Sequence, residues 1–506
     1  MDPMKSGRSK ALDFYDYLLL GFFLLYLIML NFYKIQSNDT WWHLALGKHM
    51  VETGQILFQD IFSGTIEGRA FVAHEWLSEV IFYLVSGDDA AGLSLFRIAM
   101  VLGSFGFILA MILPKYKDIW VTYPVLMILG YLFTFRAHVR PQVIGLFCVT
   151  VLIFGLERWR TKLSIKAIWW LVPLQIFWAN THGSYMFGVL FMAIYAVCFG
   201  LSNRANLQAA VRLLALSGVL LLASLINPYG VHLWALSFDI FFHSQFLKDH
   251  IYEWQNVWDV GKGHYWFYLW VFWMALCWMV TIVNWRKASL MDVALLSLSS
   301  LLPSFGMRHI SISTLVSLPI LMRHGQDVLH HHFYSLAVLR RPKFMIILLA
   351  PLVLGISTWG TPFSPKEYKP MGLGFNQHQV PNLALRYIKD HNLEGVIMNH
   401  YGDGGYFIYH THPQVKPTMD SRTDLYGEHD FEEYRRAYQS PEKFRAYLYK
   451  HDVNLVLLRN APYFIGLVDD LNRSDGWKLK LVTPRNFLFQ KMAARERKIQ
   501  PIKDQL

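Results

Sequence analysis

Cysteine, charge and the motifs of common soluble enzymes are scarce in this 506-residue sequence. Its three cysteines, Cys148, Cys198 and Cys277, each lie inside an apolar run without CxxC spacing, so we interpret them as packing residues. No GxSxG elbow, P-loop or HExxH pattern occurs, which argues against hydrolases, ATPases and zinc proteases. Charged residues make up 16% of the chain and hydrophobic residues 54%. Together with the long apolar runs, this balance excludes a soluble globule.

Eleven apolar runs are predicted to be transmembrane helices, because a bilayer offers backbone polar groups no partner outside a helix. They cover about 13–33, 90–113, 119–135, 142–157, 167–180, 184–202, 213–226, 264–284, 289–303, 309–322 and 344–359. Several runs are shorter than the ~20 residues that cross a hydrocarbon core, so we expect their helices to continue into flanking residues. Many Trp and Tyr lie at the run ends, as in interfacial belts. The sequence predicts a polytopic α-helical membrane protein.

The distribution of Lys and Arg predicts the orientation of the chain in the cell membrane. Lys5, Arg8 and Lys10 precede the first run, and no Ala-x-Ala-like cleavage site follows it, so we expect a retained first span with a cytoplasmic N-terminus. The loops on that side are the richer in basic residues. Residues 34–89, a first external loop, and 227–263, a second long external loop, are then non-cytoplasmic. The loop bias also explains the net charge of +11, and nucleic acid is not expected as a partner.

A change in composition near residue 360 predicts two domains. Residues 1–360 form the transmembrane domain, and 361–506 form a soluble domain on the non-cytoplasmic face. Periodicity and breaker residues predict its elements: a helix over 381–392, strands over 395–398 and 454–459, and one or two helices over 431–451 broken at Pro441. Because helix and strand alternate, we expect an α/β domain.

The compact polar motifs all fall on the predicted outer face. They are Asn38 to His43, His74-Glu75-Trp76, Arg140-Pro141-Gln142, Thr181-His182-Gly183, Asn227 to Gly230 and Arg308-His309. Gly and Pro in two of these motifs interrupt helices, although helix termination alone also explains them. A transporter would place ionisable groups near the midplane on an internal repeat, and no such repeat is evident.

The first external loop is the part of the sequence richest in groups that can do chemistry. It combines acids, imidazoles and aromatic rings: Asp39, Trp41, Trp42, His43, Asp60, His74, Glu75, Trp76 and Glu79. Aromatic rings stack on sugars, and carboxylates activate hydroxyls or hold a divalent cation. The alternative is that the tryptophans are interfacial and the acids solvated. An acid just past a span and followed at once by Trp-Trp-His is unusual for anchoring alone.

This arrangement resembles the GT-C glycosyltransferase superfamily, which includes protein O-mannosyltransferases and the catalytic subunit of oligosaccharyltransferase. The stretch from Asp39 to Gly54, Asp-Thr-Trp-Trp-His through Val-Glu-Thr-Gly, looks like the Asp-x-Trp/Tyr-x-Asn/His stretch of oligosaccharyltransferase subunits. The resemblance covers about twenty residues in sequence and the rest of the chain in architecture. It implies a GT-C-like fold of about eleven spans with a C-terminal α/β domain.

The resemblance also implies roles for particular residues. Asp39 is the expected catalytic carboxylate, acting as base or as ligand of a divalent cation such as Mg or Mn, with His43, His74 and Glu75 in support. Glu253 is a second expected metal ligand. GT-C donors carry sugar on a polyprenyl phosphate or diphosphate, whose phosphate requires cations. The candidates lie at the outer ends of separate spans and are Arg136, Arg140, His182, Arg308 and His309.

The acceptor is expected to contact Trp41, Trp42 and three residues of the C-terminal domain, Asp403, Asp420 and Arg422. The Gly-rich run from Tyr401 to Tyr406 is predicted to be a tight turn. It stands where oligosaccharyltransferases have a Trp-Trp-Asp-Tyr-Gly motif, which this sequence lacks. Recognition of a peptide acceptor is therefore not implied.

The resemblance implies a glycosyltransferase that moves a sugar from a polyprenyl-phosphate donor to an acceptor, and the predicted orientation places this reaction at the outer membrane face. We expect inversion at the transferred sugar. Two alternatives stay open. One is a polymerase or ligase of lipid-linked polysaccharide, which would also use outer-face arginines. The other is a non-catalytic scaffold of a cell-envelope assembly complex, in which the C-terminal domain binds partners.

Overall fold

The computed structural model describes residues 14–115, 119–242, 245–332 and 370–492. The chain forms two compact units. Unit 1 comprises residues 1–35 and 85–375, and unit 2 comprises residues 36–84 and 376–506. Unit 2 therefore combines most of the predicted first external loop with the C-terminal part of the chain. The predicted domain boundary at 360 lies outside the described residues and stays a prediction.

The described residues are mostly helical. The first helices in chain order are α1 (Phe14–Asn31), α2 (Asp39–Thr53), α3 (Trp76–Ser86), α4 (Ala91–Ile112), α5 (Ile119–Thr134), α6 (Gln142–Lys162), α7 (Leu171–Thr181), α8 (Tyr185–Ser202), α9 (Leu207–Ala223) and α10 (Val231–Phe242). They are followed by α11 (Gln245–His250), α12 (Val257–Val260), α13 (Tyr265–Val283), α14 (Leu290–Leu301), α15 (Ile310–His332), α16 (Asn382–Asp390), α17 (Tyr401–Thr411), α18 (Thr423–Ala437), α19 (Pro441–Lys450) and α20 (Ile465–Arg473).

Ten of the eleven predicted spans coincide with a helix of unit 1, and the eleventh, 344–359, lies outside the described residues. Within the described part of the chain, five helices are long and apolar enough to cross a membrane. They are Ala91–Ile112, Gln142–Lys162, Tyr185–Ser202, Arg204–Ala223 and Tyr265–Val283. The other predicted spans form helices that are shorter or less uniformly apolar, so the expected number of about eleven is supported in part.

Hydrogen bonds between apolar helices hold α13 against α15. The indole N–H groups of Trp270 and Trp273 donate to the hydroxyls of Ser313 and Ser317 at 3.1 and 2.9 Å. All four residues are buried. Small hydroxyl residues on α15 therefore allow close approach and also satisfy the indole nitrogens, as is common between membrane helices.

A partly buried ion network joins α6, α14 and α15, with buried acids and partly exposed arginines. Arg323 on α15 donates to Glu157 on α6 at 2.8 Å and also to Asp292 on α14. Arg160 lies 3.7 Å from the same Asp292 carboxylate. Arg160 and Arg323 contribute to the basic bias that predicted orientation, and the structure gives both an additional role in helix packing.

The predicted helix breaks around His182 and Asn227 are confirmed. Helix α7 ends at Thr181 and α8 begins at Tyr185, while a turn at Asn227 to Gly230 separates α9 from α10. In this turn the Asn227 side chain accepts from the Tyr229 amide at 2.8 Å, and Gly230 has a φ of 53°. Gly is suited to that position because the left-handed region strains residues with a Cβ.

Unit 2 contains a five-stranded mixed sheet with the order β2-β1-β3-β5-β4. Its strands are β1 (Gly395–Met398), β2 (Val415–Pro417), β3 (Val453–Arg459), β4 (Trp477–Val482) and β5 (Asn486–Lys491). Strand β1 runs parallel to β2 and β3, whereas β5 is antiparallel to both β3 and β4. The hydrophobic core includes Ile397, Val415, Leu455 and Leu488. The predicted C-terminal α/β architecture, including the helix break at Pro441, is confirmed.

The predicted turn from Tyr401 to Tyr406 is wrong, because this run forms the first part of helix α17. Its glycines are required by close packing. A Cβ on Gly404 would lie 2.2 Å from the Met419 carbonyl oxygen, and one on Gly405 would lie 3.0 Å from the Trp42 backbone nitrogen. Gly404 therefore lets α17 approach the chain at Met419, and Gly405 brings α17 against the start of α2.

A buried ion triad connects the two sequence segments of unit 2. Arg422 donates from Nε and Nη2 to the two oxygens of Asp420 at 2.9 and 2.7 Å, and from Nη1 to Asp60 at 2.7 Å. Tyr426 donates to Asp420 and the Ser63 amide donates to Asp60. The three charged side chains are at most 1% exposed. Such complete pairing is what makes buried charge tolerable.

We expect Arg422→Gln to destabilise unit 2 strongly, because it leaves two buried carboxylates without their cation. Removing one partner of a buried ion pair typically costs about 3–5 kcal/mol. Unfolding of the purified protein in detergent, followed by temperature or denaturant, measures the loss. Arg435→Gln is the matched control, since Arg435 forms an exposed pair with Glu432 at 2.9 Å and its removal should change little. Equal stability of the two variants would contradict a structural role for the triad.

Gly404→Ala and Gly466→Ala should have opposite effects. At Gly404 the new methyl group would meet a backbone carbonyl, so we expect a loss of about 1–3 kcal/mol. At Gly466, on α20, a Cβ meets no atom within 4 Å, and alanine should stabilise the helix by up to about 1 kcal/mol. Melting temperatures of the two purified variants test this, and a Gly404→Ala protein as stable as the wild type would disprove the packing argument.

Candidate functional site

Asp39 is the first residue of helix α2 and is half-buried. The amide groups of a helix N-terminus stabilise a carboxylate there. His43 lies one turn further along α2 and on the same face, because residues i and i+4 are neighbours on a helix. The predicted catalytic acid and its first supporting residue therefore belong to one rigid element.

The two tryptophans that follow Asp39 have different environments. Trp41 is 4% exposed and packs edge-on against Tyr406 of α17 at a centroid distance of 4.9 Å. Trp42 is partly exposed, and its ring lies 3.6 Å from that of His43 between centroids. Trp41 therefore joins α2 to α17, whereas Trp42 has surface left for a ligand. Contact of either ring with the acceptor stays a prediction.

His43 lies next to a buried acid, Glu79. The Nδ1 of His43 is 3.3 Å from Glu79 Oε1 on α3, and the Nε2 of His43 is 4.0 Å from Glu75 Oε2. His74 is the last member of this group of side chains, and its Nε2 lies 3.8 Å from Glu75 Oε1. Burial, and then the charge of Glu75, raises the pKa of Glu79 well above its usual value. The raised pKa favours the protonated form of Glu79, which can donate a hydrogen bond to His43.

A second group in unit 2 surrounds Asp403, which is 2% exposed at the start of α17. Arg485 and Arg459 lie 3.4 and 3.7 Å from its carboxylate, and Arg459 also donates to His400 Nδ1 at 2.9 Å. Burial raises the pKa of Asp403 although the two arginines oppose it. Burial and the same arginines lower the pKa of His400 to about 3, so its imidazole is neutral.

Our sequence analysis missed His400, Arg459 and Arg485. One signal could have found two of them: His400 follows β1, and Arg459 ends β3, the parallel neighbour of β1. Side chains at the carboxyl ends of adjacent parallel strands meet at one sheet edge, where ligands often bind. Arg485 lies in the β4–β5 turn and gave no comparable signal.

Asp420 and Arg422 differ from the other predicted acceptor residues, because the ion triad uses all three Arg422 nitrogens and both Asp420 oxygens. Neither side chain has an exposed polar edge for a ligand. Their predicted contact with acceptor stays untested, and the contacts assign them to holding unit 2 together.

In unit 1, three arginines from two separate loops surround one carboxylate. Arg136 and Arg140, between α5 and α6, donate to Glu253 Oε2 at 2.9 and 3.2 Å. Arg136 also donates to Gln142 at 2.7 Å. The guanidinium of Arg308 stacks on the Trp254 ring, with Cζ 3.1 Å from the ring centroid. We call Arg136, Arg140 and Arg308 the arginine cluster.

The electrostatics confirm that Glu253 lies among cations. Burial alone would raise the pKa of Glu253, but the charges of the arginine cluster together hold it well below its usual value. His309 is also near, since it interacts electrostatically with Arg308, Arg136 and His182. The structure thus groups all five predicted phosphate-binding residues, and the phosphate itself stays a prediction.

The surroundings of Glu253 do not fit a divalent cation. Its Oε2 accepts from two guanidinium groups, and a metal ion bound there would be repelled by three neighbouring positive charges. Asp39 has the hard oxygen chemistry that Mg and Mn prefer, and a metal role for it stays a prediction.

In unit 2, ligand atoms of His429, Asp430 and Glu433 lie within 4.8 Å of one another. Arg69 and Lys450 already pair with that group's two acids.

The fold is similar to that of the archaeal oligosaccharyltransferase AglB from Archaeoglobus fulgidus, solved in complex with an inhibitory peptide and a dolichol-phosphate. The TM-score is 0.57 at 12% sequence identity, and the match covers 88% of this chain and 70% of the archaeal chain. No protein-family model and no curated protein matches the sequence. The chain thus shares the fold of this oligosaccharyltransferase, and its apolar helices point to a multi-pass membrane protein.

A raised pKa at Glu79 predicts a dependence of stability on pH. Above its usual pKa of 4.5, the unfolded chain loses a proton that the folded protein keeps, so the Glu79 contribution to stability is complete below pH 4.5 and declines as pH rises toward the folded pKa. Glu79→Gln cannot ionise and should remove this decline. Unfolding midpoints between pH 4.5 and 8 test the prediction, with exposed Glu52→Gln as control. Identical pH slopes for wild type and Glu79→Gln would show that Glu79 is ionised.

Proposed function

We propose that the protein is a GT-C glycosyltransferase that moves a sugar from a polyprenyl-phosphate-linked donor to an acceptor at the outer face of the membrane. The arginine cluster is the observation that carries this proposal. In unit 1, three guanidinium groups lie near the carboxylate of Glu253. The fold is similar to that of an oligosaccharyltransferase, and the archaeal structure contains a lipid phosphate.

The arginine cluster suits the leaving group of this reaction. When the sugar departs, negative charge develops on the phosphate oxygen that carried it. Preorganised cations stabilise that charge most in the transition state, where it is largest. Guanidinium groups also match phosphate oxygens through paired hydrogen bonds. Arg140 has a quarter of its side chain exposed, so part of the cluster is accessible to a head group.

Asp39 is the proposed general base. It would take the proton of an acceptor hydroxyl as that oxygen bonds to the anomeric carbon, while the bond from that carbon to the phosphate oxygen breaks. Attack from the face opposite the phosphate inverts the sugar. The buried His43 and Glu79 would hold the start of α2 in place, and Trp42 offers a partly exposed ring on which a sugar could stack.

Asp39→Asn should abolish transfer and leave the protein in the membrane, because the amide keeps the shape of the side chain but cannot accept a proton. Loss of a general base usually lowers the rate about 10²- to 10⁴-fold. Membranes containing each variant are supplied with polyprenyl phosphate carrying a radiolabelled sugar, and the label transferred to acceptor is counted.

Glu52→Gln provides the matched control, since Glu52 is an exposed acid on the same helix and its variant should transfer at the wild-type rate. Membrane levels of each variant are compared by immunoblot. Normal transfer by Asp39→Asn would remove Asp39 from the mechanism. The mass of the labelled product also separates transfer of a single sugar from that of an assembled chain.

A further inference from the structure

Glu253 occupies the position in the arginine cluster where a bound anion would lie. One oxygen, Oε2, accepts from both Arg136 and Arg140, and Arg308 is close enough to lower the pKa of the carboxyl group. Each arginine prefers a charge-assisted partner of the same kind, carboxylate or phosphate. A phosphate that binds these groups must therefore compete with Glu253.

The pairing around Glu253 differs from the closed triad around Arg422. The triad is at most 1% exposed, whereas the side chains of Glu253 and Arg140 are 23% and 25% exposed. Solvent reaches the Arg140 side of Glu253, although Arg136 on the other side is only 8% exposed, so exchange for another anion does not require unfolding. A partly exposed pair is also weaker than a fully buried one, which lowers the cost of exchange.

The turn that carries Glu253 is held by contacts that do not involve its carboxylate. The Met307 amide donates to the Gln255 carbonyl at 2.9 Å, and Trp254 stacks on Arg308. Gly306, with φ 154°, packs against the carbonyls of Glu253 and Trp254. Rotation of the Glu253 side chain would therefore withdraw its carboxylate from Arg136 and Arg140 and leave the turn and Arg308 in place.

We propose that Glu253 is a resident counter-ion of the arginine cluster, which keeps the arginines ordered without donor and yields them to the donor phosphate when it binds. This inference rests on the proposed function of the cluster. It makes Glu253 a positioning residue, because a phosphate must displace a tethered carboxylate before it can pair with Arg136 and Arg140.

Binding of polyprenyl phosphate to the purified protein in nanodiscs tests the proposal, with uncharged polyprenol to measure the contribution of the lipid chain. Glu253→Gln removes the competing charge, so we expect it to bind polyprenyl phosphate about fivefold or more tightly and with a steeper dependence on salt. Polyprenol binding should not change. Glu253→Asp keeps the charge but shortens its reach, and should give an intermediate affinity.

Asp259→Asn is the matched control, because it removes one exposed acid from the same loop and should bind like the wild type. Equal or weaker binding of polyprenyl phosphate by both Glu253 variants, each confirmed to be folded by its melting temperature, would overturn the proposal and indicate a scaffold role. Arg140→Gln separates the two hypotheses. If Arg140→Gln leaves polyprenyl phosphate binding unchanged, the cluster is not the donor site, and both the proposed function and the Glu253 inference fail. If Arg140→Gln weakens binding, the cluster remains the donor site, and the two Glu253 variants alone decide the Glu253 inference.

Discussion

Unit 2 depends on one buried guanidinium group that is paired with two buried carboxylates. Asp60 comes from the segment before the long membrane part of the sequence, and Asp420 and Arg422 come from the segment after it. A buried charge is tolerated only when its hydrogen-bonding groups are satisfied, so the triad requires both segments to fold together. Helix α2, which begins with Asp39, lies in the first of these segments and packs through Trp41 on Tyr406 in the second.

Helix packing adds a second constraint on the same element. The glycines at the start of α17 permit contact with the first turn of α2, and Gly47 permits the backbone of α3 to approach α2 at Glu79. Asp39 thus begins a helix that is packed by two neighbours. Catalytic groups act best when their geometry is fixed before the substrate binds, and a helix start held in this way supplies that rigidity.

Periodicity and hydropathy predicted most of the helices, because the pattern of apolar and polar residues in an element reflects which of its faces are buried. The helices at ten predicted spans, strands β1 and β3 and the break at Pro441 followed from such local patterns, whereas strands β2, β4 and β5 were not predicted. The Gly-rich run at Tyr401 did not, since glycine is favoured both by turns and by close helix contacts, and only the partner helix decides between them. Asp420 and Arg422 presented the same difficulty: their sequence shows polar residues, whereas their burial depends on a distant Asp60.

The two sets of arginines in this protein show why pairing alone does not identify a binding site. Arg422 and Arg136 both donate to carboxylates at less than 3 Å. All three side-chain nitrogens of Arg422 donate hydrogen bonds to buried carboxylates, so these interactions stabilise the fold. In the arginine cluster, Arg136 and Arg140 share one carboxylate oxygen of Glu253, whose side chain is 23% exposed. A partly exposed carboxylate can be exchanged for another anion, and a phosphate has both the charge and the hydrogen-bond acceptors for that exchange.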